Sequence, residues 1–225
     1  MKVIITGASK GIGLELCRVA LQKKFEVCAF ARNASSSLGL KKLSSDFGEN
    51  LQSFDLDVTS GEATNRILNA IKSWNCVDIL INNAGVLEQD VTEEALMHSF
   101  RVNSVAPLLL TTALMPLLKA SEKPVVASIT SRMGSITDNG SGGYYGYRAS
   151  KTALNMLIKS IAIDNPWLTA IVIHPGWVQT DMGGSAAPVA AVDSAQGIWN
   201  VIETARKKNS SSGNFFDYMG EVLPW

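Results

Sequence analysis

The stretch KVIITGASKGIGLEL, residues 2–16, joins a short β-branched run to an amphipathic segment through a glycine-rich turn. Gly7, Gly11 and Gly13 allow backbone angles closed to other residues and let main-chain N–H groups approach a ligand closely. The N-terminus of the following helix attracts anions. This context predicts a loop that cradles a phosphate. The spacing differs from G-x-G-x-x-G, and tight strand–helix packing is the alternative explanation.

Beyond this turn, short apolar runs alternate with helix-length amphipathic segments up to the end of the sequence. The alternation predicts βαβ units, and the continuous apolar runs indicate strands covered on both faces, as in a parallel sheet. Right-handed crossovers then give an α/β fold. We expect a single Rossmann-like doubly wound domain over residues 1–225, with a seven-stranded parallel sheet flanked by helices.

The boundaries of these elements follow from the same pattern. The predicted strands are KVIIT, FEVCAFA, LQSFDLDV, VDILI, PVVASIT, LTAIVIH and NFFDYM. The predicted helices span residues 12–24, 62–74, 93–119, 147–164 and 193–208, and residues 33–50 are expected to hold a short helix flanked by loop.

The charge balance argues against a polyanionic partner. Twenty basic and twenty acidic side chains cancel to a formal net charge of zero, and neither sign forms long runs. A nucleic-acid or anionic-membrane surface needs a basic patch, so we expect neither partner. Hydrophobic residues make up 46% of the chain, which is enough for a substantial core.

The cysteines and the apolar runs indicate a cytoplasmic protein. Cys17, Cys28 and Cys76 lie far apart in apolar stretches and match no disulfide or metal-ligand spacing, which favours reduced thiols. The apolar run at residues 3–5 is too short for a signal peptide. The run at 105–118 is broken by two prolines and falls short of a membrane span.

Three further motifs follow the glycine turn in order. Residues 82–85 read NNAG directly after the fourth predicted strand, residues 147–151 read YRASK, and residues 175–180 read PGWVQT after the sixth strand. With T-G-x-x-x-G-x-G at the first turn, they resemble the short-chain dehydrogenase/reductase family across nearly the whole chain. GGYY before the YRASK motif and LPW at 223–225 are similar to its small carbonyl-reductase and C-factor-like branch.

The resemblance implies a nicotinamide dinucleotide and a set of residues around it. Asp57 and Val58 should border the adenine, while Asn83, Ala84 and Gly85 should line the ribose side; a structural bond between strands is an alternative or additional role for Asn83. The other expected cofactor residues are Gly7, Ser9, Lys10, Gly11, Ile12, Gly13, Tyr147, Lys151, Pro175, Gly176, Val178 and Thr180.

The choice between NADP and NAD is argued from charge. An NAD site usually offers a carboxylate to the ribose 2′-hydroxyl at the end of the second strand. Here that strand is followed by Arg32, and Lys10 lies in the glycine loop, so two cations suit a 2′-phosphate. The alternative is that both are solvated surface residues. We expect NADPH to be preferred over NADH.

Tyr147 and Lys151 are four residues apart, which places them on one face of a helix. A phenol with an ordinary pKa of about 10 needs a nearby positive charge to favour its anion, and Lys151 can supply it. Tyr144 and Tyr145 have no lysine at the same spacing. By resemblance, Tyr147 is the general acid/base and Lys151 also holds the nicotinamide ribose.

A hydroxyl near the end of the fifth strand should complete the site by binding the substrate oxygen. The family's serine lies three residues before a glycine, which selects Ser131, with Ser135 as the second candidate. Residues 138–143 form an apparent insertion between Ser131 and Tyr147. Asn103 resembles the family's helix asparagine, which holds a water linked to the lysine, and a purely structural role is equally compatible.

The remaining polar residues suggest no metal site. His98 lies on a predicted helix without a spaced partner ligand, and His174 precedes a Pro-Gly at a strand end, so both are expected to be structural or solvated.

Taken together, the motifs and the resemblance predict an NADP-dependent carbonyl reductase that transfers a hydride between NADP(H) and a carbonyl or alcohol substrate. A non-catalytic dinucleotide-binding sensor or signalling protein is the alternative.

Substrate and assembly follow from weaker features. The glycines after Pro175 predict a substrate lid over residues 177–195. Apolar residues near it favour a small, fairly apolar carbonyl compound, although each is equally compatible with the core; they are Trp177, Met182, Met133 and Val86. Long apolar stretches on the helices that carry Asn103 and Tyr147 predict a homodimer or homotetramer.

Overall fold

A computed structural model describes residues 1–208 and 211–225. Its seven strands pair only in parallel and follow the order β3-β2-β1-β4-β5-β6-β7, which confirms the predicted doubly wound sheet. The strands are β1 (Lys2–Thr6), β2 (Glu26–Ala31), β3 (Leu51–Asp55), β4 (Ile79–Asn82), β5 (Val125–Ile129), β6 (Thr169–His174) and β7 (Phe215–Asp217).

Seven α-helices connect these strands in the described part of the chain. They are α1 (Gly11–Gln22), α2 (Leu38–Phe47), α3 (Ala63–Ala70), α4 (Glu93–Phe100), α5 (Ala106–Lys119), α6 (Tyr145–Asp164) and α7 (Ala191–Lys207). Helix α3 ends earlier than predicted, because the chain closes into a tight turn in which the Trp74 N–H donates to the Ile71 carbonyl at 2.8 Å.

The predicted helix 93–119 is continuous but changes its hydrogen bonding in the middle. Residues Arg101–Val105 are π-helical and join α4 to α5. Pro107 follows immediately in the first turn of α5 and has no N–H to donate to the Asn103 carbonyl. The wider π turn accommodates this lost bond and directs Asn103 into the interior.

The core lies on both faces of the sheet, which is why the central strands are apolar, whereas the edge strand β3 exposes Gln52, Ser53 and Asp55. One cluster packs β1 residues such as Val3 and Ile5 against α1 and α7, where the fully buried Trp199 donates its indole N–H to the Leu16 carbonyl at 3.0 Å. The other cluster packs Ile4 against α3, α5 and α6. All three cysteines are free, and burial raises the pKa of Cys28 to about 12, which leaves it unreactive.

The helical run Glu93–Lys119 has the length and apolar composition of a membrane span. Its 27 residues include a window of mean hydropathy 1.3, so by length and composition it is able to cross a bilayer. Half of that window (50%) is buried, and Leu110, Leu114 and Leu118 pack into the core against the sheet. These contacts are those of a core helix in a globular domain.

The strand order positions the functional end of the molecule. β1 lies between β2 and β4. The first half of the sheet is built outward from β1 on one side and the second half on the other, which opens a crevice at the carboxyl ends of these strands. Ligands of open α/β sheets bind at such a switch point. The glycine turn after β1 and the NNAG motif after β4 meet there.

Candidate active site

A cleft of about 840 Å³ opens at this switch point. Most of the predicted cofactor residues line it, namely Gly7, Ser9, Lys10, Gly11, Ile12, Gly13, Arg32, Asp57, Val58, Asn83, Ala84, Gly85, Tyr147, Lys151, Pro175 and Thr180. Gly176 and Val178 do not line it. Gly176 packs against Tyr218 and Val189, and Val178 is buried and bridges to Val189. These two residues shape the segment behind the cleft wall.

The glycine turn is built so tightly that side chains are excluded. Gly7 and Gly11 have φ angles of +67° and +55°, which strongly favour glycine. A Cβ on Gly13 would lie 2.2 Å from the Gly7 carbonyl oxygen, and a Cβ on Gly7 would lie 2.8 Å from the Cα of Ala84. The backbone can therefore approach a ligand directly.

Helix α1 begins in the same turn with its first N–H groups unclaimed by a side-chain cap. Its N-cap residue, Lys10, makes no capping hydrogen bond, and no acidic residue lies in the first turn. Uncapped N–H groups and the positive end of the helix dipole attract an anion. The residues present thus fit the pyrophosphate of a dinucleotide.

Asn83 fixes the position of this turn relative to β4. Its side-chain amide donates to the carbonyls of Thr6 and Gly7 at 3.0 and 3.1 Å. The Thr6 hydroxyl accepts in return from the backbone N–H groups of Asn83 and Ala84, each at 3.1 Å. The structural role considered for Asn83 is therefore present, and the residue lines the cleft as well.

The two predicted phosphate-binding cations are differently engaged. Arg32 is exposed at the cleft edge near Asp57. Hydrogen bonds from Thr59 lower the pKa of Asp57, and the charge of Arg32 lowers it by a smaller amount. Lys10 forms an ion pair with Asp181, a contact between distant segments that was not predicted from the sequence. Both side chains are highly exposed, at 73% and 77%, so water and salt weaken this pair. Asp181 thus lines one side of the cleft and would compete with a bound phosphate for Lys10.

Tyr147 and Lys151 lie together at the inner end of the cleft, 7% and 4% exposed. The Lys151 Nζ lies 5.8 Å from the centroid of the Tyr147 ring and donates to the Ile129 carbonyl at 2.8 Å. Burial lowers the pKa of Lys151 to about 8. The ammonium form therefore predominates at neutral pH beside the phenol.

The pKa of Tyr147 is set mainly by burial, which raises it, while hydrogen bonding with Ser131 lowers it in part. Lys151 was expected to have the leading influence on the pKa of this phenol, but in the structure desolvation has the larger effect. A raised pKa keeps the phenol protonated at neutral pH, which is the form that a proton donor requires.

The two candidate serines differ in what they contact. Ser131 caps the short turn Arg132–Gly134 by accepting from the Met133 N–H at 3.1 Å, and it also acts on the Tyr147 phenol. Ser135 is buried and accepts from the Asp138 N–H at 3.1 Å. Ser131 is therefore the serine that influences the pKa of the Tyr147 phenol, whereas Ser135 folds the following loop.

Asn103 is completely buried in the π-helical segment and its side chain is fully used. The amide donates to the Val86 carbonyl at 2.9 Å and to the Ser150 hydroxyl at 3.0 Å, and its oxygen accepts from the Val86 N–H at 2.9 Å. These bonds hold the chain after the NNAG motif against α6. The structural role considered for Asn103 is thus present.

Several cleft residues were not expected from the sequence as cofactor contacts. Apart from Val86 and Met182, which were considered for the substrate, they are Ala31, Asn33, Leu56, Leu87, Glu88, Gln89, His98, Val102, Ile129, Thr130, Gln179 and Asp181. His98 meets Glu88 at 2.8 Å, so two residues distant in sequence form one wall. Nothing in the sequence pairs them, because their approach depends on the path of the loop between β4 and α4.

The apolar residues considered for the substrate pocket divide into two groups. Val86 and Met182 line the cleft, whereas Trp177 and Met133 are not among its lining residues. The Trp177 indole N–H instead donates to the Gly183 carbonyl at 2.8 Å and folds the segment after β6 onto itself. The proposed lid 177–195 also ends in a helix, since α7 begins at Ala191.

The two histidines lie in different surroundings, and neither belongs to a cluster of potential metal ligands in the described part of the chain. Over residues 1–208 and 211–225, no group of three or more His, Cys, Asp or Glu side chains is placed to hold a metal ion. Burial lowers the pKa of His174 to about 4, so this side chain is neutral at physiological pH.

Comparison with known proteins decides the family. A family model described as short chain dehydrogenase matches residues 1–189. The chain belongs to the short-chain dehydrogenase family. This short-chain dehydrogenase is 44% identical over 156 residues to C-signal of Myxococcus xanthus, a match that covers 66% of this chain and 93% of that protein.

Solved structures resemble this short-chain dehydrogenase over its full length. A carbonyl reductase from Pseudomonas aeruginosa PAO1 is 35% identical with a TM-score of 0.90, covering 100% of this chain and 99% of the other. A structure of a carbonyl reductase from the same strain in complex with NADP is 36% identical with a TM-score of 0.89 and the same coverage. The resemblance stated from the motifs is confirmed, including its carbonyl-reductase-like branch.

Proposed function

We propose that this short-chain dehydrogenase is an NADPH-dependent carbonyl reductase with Tyr147 as its proton donor. The observation that carries the proposal is the meeting of a buried phenol and a buried ammonium in the cleft that the glycine turn lines, with Ser131 hydrogen-bonded to the phenol. The similarity to a carbonyl reductase whose structure holds NADP supports the same conclusion.

The mechanism follows from the charges that develop on the substrate. NADPH, when bound, supplies the hydride that reduces the carbonyl carbon. The Tyr147 O–H bond breaks and its proton passes to the carbonyl oxygen, giving an alcohol and a phenolate. Ser131 donates a hydrogen bond to the oxygen as negative charge grows there. Lys151 stabilises the phenolate. Asn103, which binds Val86 and Ser150 on α6, supports the relay that returns a proton to Tyr147.

The experiment that tests this mechanism is Tyr147→Phe, which removes the acid and keeps the ring. We expect kcat for carbonyl reduction to fall about 100-fold or more, with NADPH affinity retained. Tyr145→Phe is the matched control, since Tyr145 is exposed at the start of the same helix. Wild-type turnover in Tyr147→Phe would remove Tyr147 from the mechanism.

The preference for NADPH rests on Arg32, Lys10 and the absence of a carboxylate directly after β2. Arg32 stands exposed at the cleft edge, ready to pair with a 2′-phosphate. We expect Arg32→Ala to weaken NADPH binding about tenfold and to leave NADH binding unchanged. Lys42→Ala, an exposed cation on α2, serves as control. Equal affinities of the wild-type protein for both nucleotides would contradict the proposal.

For the substrate we propose a small, fairly apolar carbonyl compound or the corresponding alcohol. Val86, Leu87 and Met182 supply apolar surface in the cleft beside the catalytic residues. The segment 177–190, ahead of α7, is proposed as the lid over this substrate in a single domain spanning 1–225. We further propose that the protein acts in the cytoplasm without nucleic-acid or membrane partners.

A second candidate is a non-catalytic protein that binds a dinucleotide and senses or signals through a partner. The observation that favours it is the 44% identity to a protein named C-signal. One assay distinguishes the two functions. Tight NADPH binding without turnover of any aldehyde, ketone or quinone in a broad panel supports the non-catalytic protein. Turnover that depends on Tyr147 supports the reductase.

A further inference from the structure

Residues 135–144, here called the β5–α6 loop, run from the turn that Ser131 caps to the start of helix α6, just before Tyr147. Both ends of the loop are thus attached to residues of the candidate active site. It contains the stretch DNGSGG at 138–143, whose composition by itself gives a flexible chain. Within it, the Gly142 N–H donates to the Asn139 side-chain oxygen at 3.1 Å, and further contacts come from outside the stretch.

Arg148 makes contacts of this kind. Its Nε donates to the carbonyls of Gly142 and Gly143 at 3.0 and 3.1 Å, and its two terminal nitrogens donate to the Ser141 hydroxyl at 2.8 Å and to the Met133 carbonyl at 3.4 Å. One planar guanidinium therefore ties the far half of the loop to the turn after Ser131. Arginine suits this task because its donors are fixed in a fork.

The backbone of the loop needs this support. Gly142, Gly143 and Tyr144 are consecutive residues in the left-handed region, with φ angles of +63°, +67° and +49°. Left-handed residues are unfavourable in series, and Tyr144 bears a side chain that adds to the cost. Two of the carbonyls in this unfavourable stretch are those that Arg148 binds, so the fork offsets the strain where it arises.

The near half of the loop has its own anchors. The Thr137 N–H donates to the Trp225 backbone oxygen at 2.9 Å, and Asp138 pairs with Arg132 at 3.6 Å. The Trp225 ring lies 5.7 Å from the Phe215 ring, which fixes it to β7. Loss of Arg148 should therefore release residues 139–144 and leave the remainder folded.

We propose that Arg148 is a positioning residue for the reaction: it holds the β5–α6 loop as a fixed wall beside Ser131 and Tyr147 and so lowers the KM for the carbonyl substrate. The apolar side chain of Ile136 is exposed in this loop, so an apolar substrate that reaches the loop would bury it. The inference rests on the proposed reductase function and adds a residue between Tyr147 and Lys151 that does not touch the reacting atoms.

The test compares Arg148→Met and Arg148→Lys with the control Arg206→Met. Arg206 lies on α7 and donates to the Lys123 carbonyl, so the control also removes a hydrogen bond from an arginine to a carbonyl. Steady-state kinetics use NADPH with nitrobenzaldehyde and with phenanthrenequinone. In Arg148→Met the wall is formed in only a fraction of molecules, so we expect KM for both carbonyl compounds to rise about tenfold. The values of kcat and of KM for NADPH should stay within about twofold.

Arg148→Lys keeps the charge and loses the fork, so it should behave as Arg148→Met does. Full rescue by lysine would overturn the proposal, as would an unchanged KM. A fall in kcat and a rise in KM for NADPH that are as large as the rise in KM for the carbonyl compounds would also overturn it, because such changes indicate general damage to the site.

Hydrogen exchange provides a readout that does not depend on turnover. Peptides covering residues 139–144 should exchange faster in Arg148→Met and at the wild-type rate in Arg206→Met. If the wild-type protein reduces neither these compounds nor any other in the broad carbonyl panel, the proposed function fails, while exchange still decides the anchoring role. Unchanged exchange in Arg148→Met overturns that role in either case.

Discussion

Lys151 is almost completely buried, yet it must carry a charge to stabilise the phenolate of Tyr147. Burial lowers its pKa to about 8, so the ammonium form is present at neutral pH and is lost in mildly alkaline solution. The raised pKa of Tyr147 works in the same direction, because the phenol keeps its proton over this range. Lys151 should therefore set the alkaline limit of carbonyl reduction.

We expect kcat/KM for carbonyl reduction to fall as pH rises through about 8, since neutral Lys151 no longer stabilises the phenolate. Lys151→Met should show a rate lower by about 100-fold without this alkaline limb. Lys159→Met, on the same helix and bonded to the Gly213 carbonyl, should keep the wild-type profile. A wild-type profile that stays flat between about pH 7 and pH 9, measured by NADPH oxidation, would contradict the assignment.

Gly134 determines how closely the Ser131 turn approaches Lys151. A Cβ at this position would lie 2.9 Å from the Lys151 carbonyl carbon and Cβ, so the turn or the helix would have to move. We expect Gly134→Ala to lower the free energy of unfolding by about 1–3 kcal/mol and to reduce turnover as well. Gly140→Ala, where a Cβ meets nothing within 4 Å, is the control. Denaturant unfolding at wild-type stability in Gly134→Ala would refute this account.

At the scale of elements, the segment after β6 crosses to the glycine turn through the ion pair of Asp181 and Lys10. Asp181→Asn frees Lys10 for a 2′-phosphate and removes a negative charge from the cleft edge. We expect NADPH to bind about threefold more tightly, NADH to bind unchanged, and the gain to shrink in high salt. Asp164→Asn, exposed at the end of α6, is the control. A gain shared equally by both nucleotides in calorimetric titration would contradict the competition.

The sequence was most informative about elements whose burial is uniform. The central strands were predicted because parallel strands covered on both faces are apolar without interruption. The edge strand β3 exposes Gln52, Ser53 and Asp55 and was predicted from its place in the alternation of strands and helices. Helix α6 begins two residues before its predicted start, since Tyr145 joins the helix although no side-chain cap marks its beginning. The π-helical turn at 101–105 was not predicted, because it depends on where Pro107 and Asn103 meet the rest of the fold.

The site could be predicted from the sequence where a local motif carries it. The glycine turn, NNAG and YxxxK each hold their residues within one short segment, so their placement follows from one strand end or one helix face. Contacts between distant segments gave no such signal: the Lys10–Asp181 pair, the Glu88–His98 wall and the Arg148 fork all depend on loop paths. Trp177 was expected near the substrate, but its indole turns back to Gly183.

At the scale of the whole molecule, helices α5 and α6 lie side by side and expose large apolar side chains. Leu109 on α5 is 56% exposed and Met156 on α6 is 66% exposed. Exposed apolar patches on adjacent helices favour self-association, and a two-fold axis would bury each patch against its copy. We therefore propose a homodimer or homotetramer through this face.

The double variant Leu109→Glu, Met156→Glu should be monomeric, because paired carboxylates across a two-fold interface repel each other and lose hydration. Leu38→Glu, an exposed leucine on α2, should keep the wild-type mass. Light scattering across a wide concentration range measures both. A monomeric wild-type protein would refute the assembly without affecting the chemistry.

The central claim is that this fold brings a dinucleotide and a carbonyl compound together so that Tyr147 can protonate the oxygen. The most direct measurement follows deuterium from C4 of labelled NADPH, with wild-type protein and Tyr147→Phe under the same conditions. The account predicts deuterium on the carbinol carbon of the alcohol formed by the wild-type protein, and loss of product in a variant that still binds NADPH. Binding of NADPH by the wild-type protein without label transfer to any carbonyl compound would contradict it.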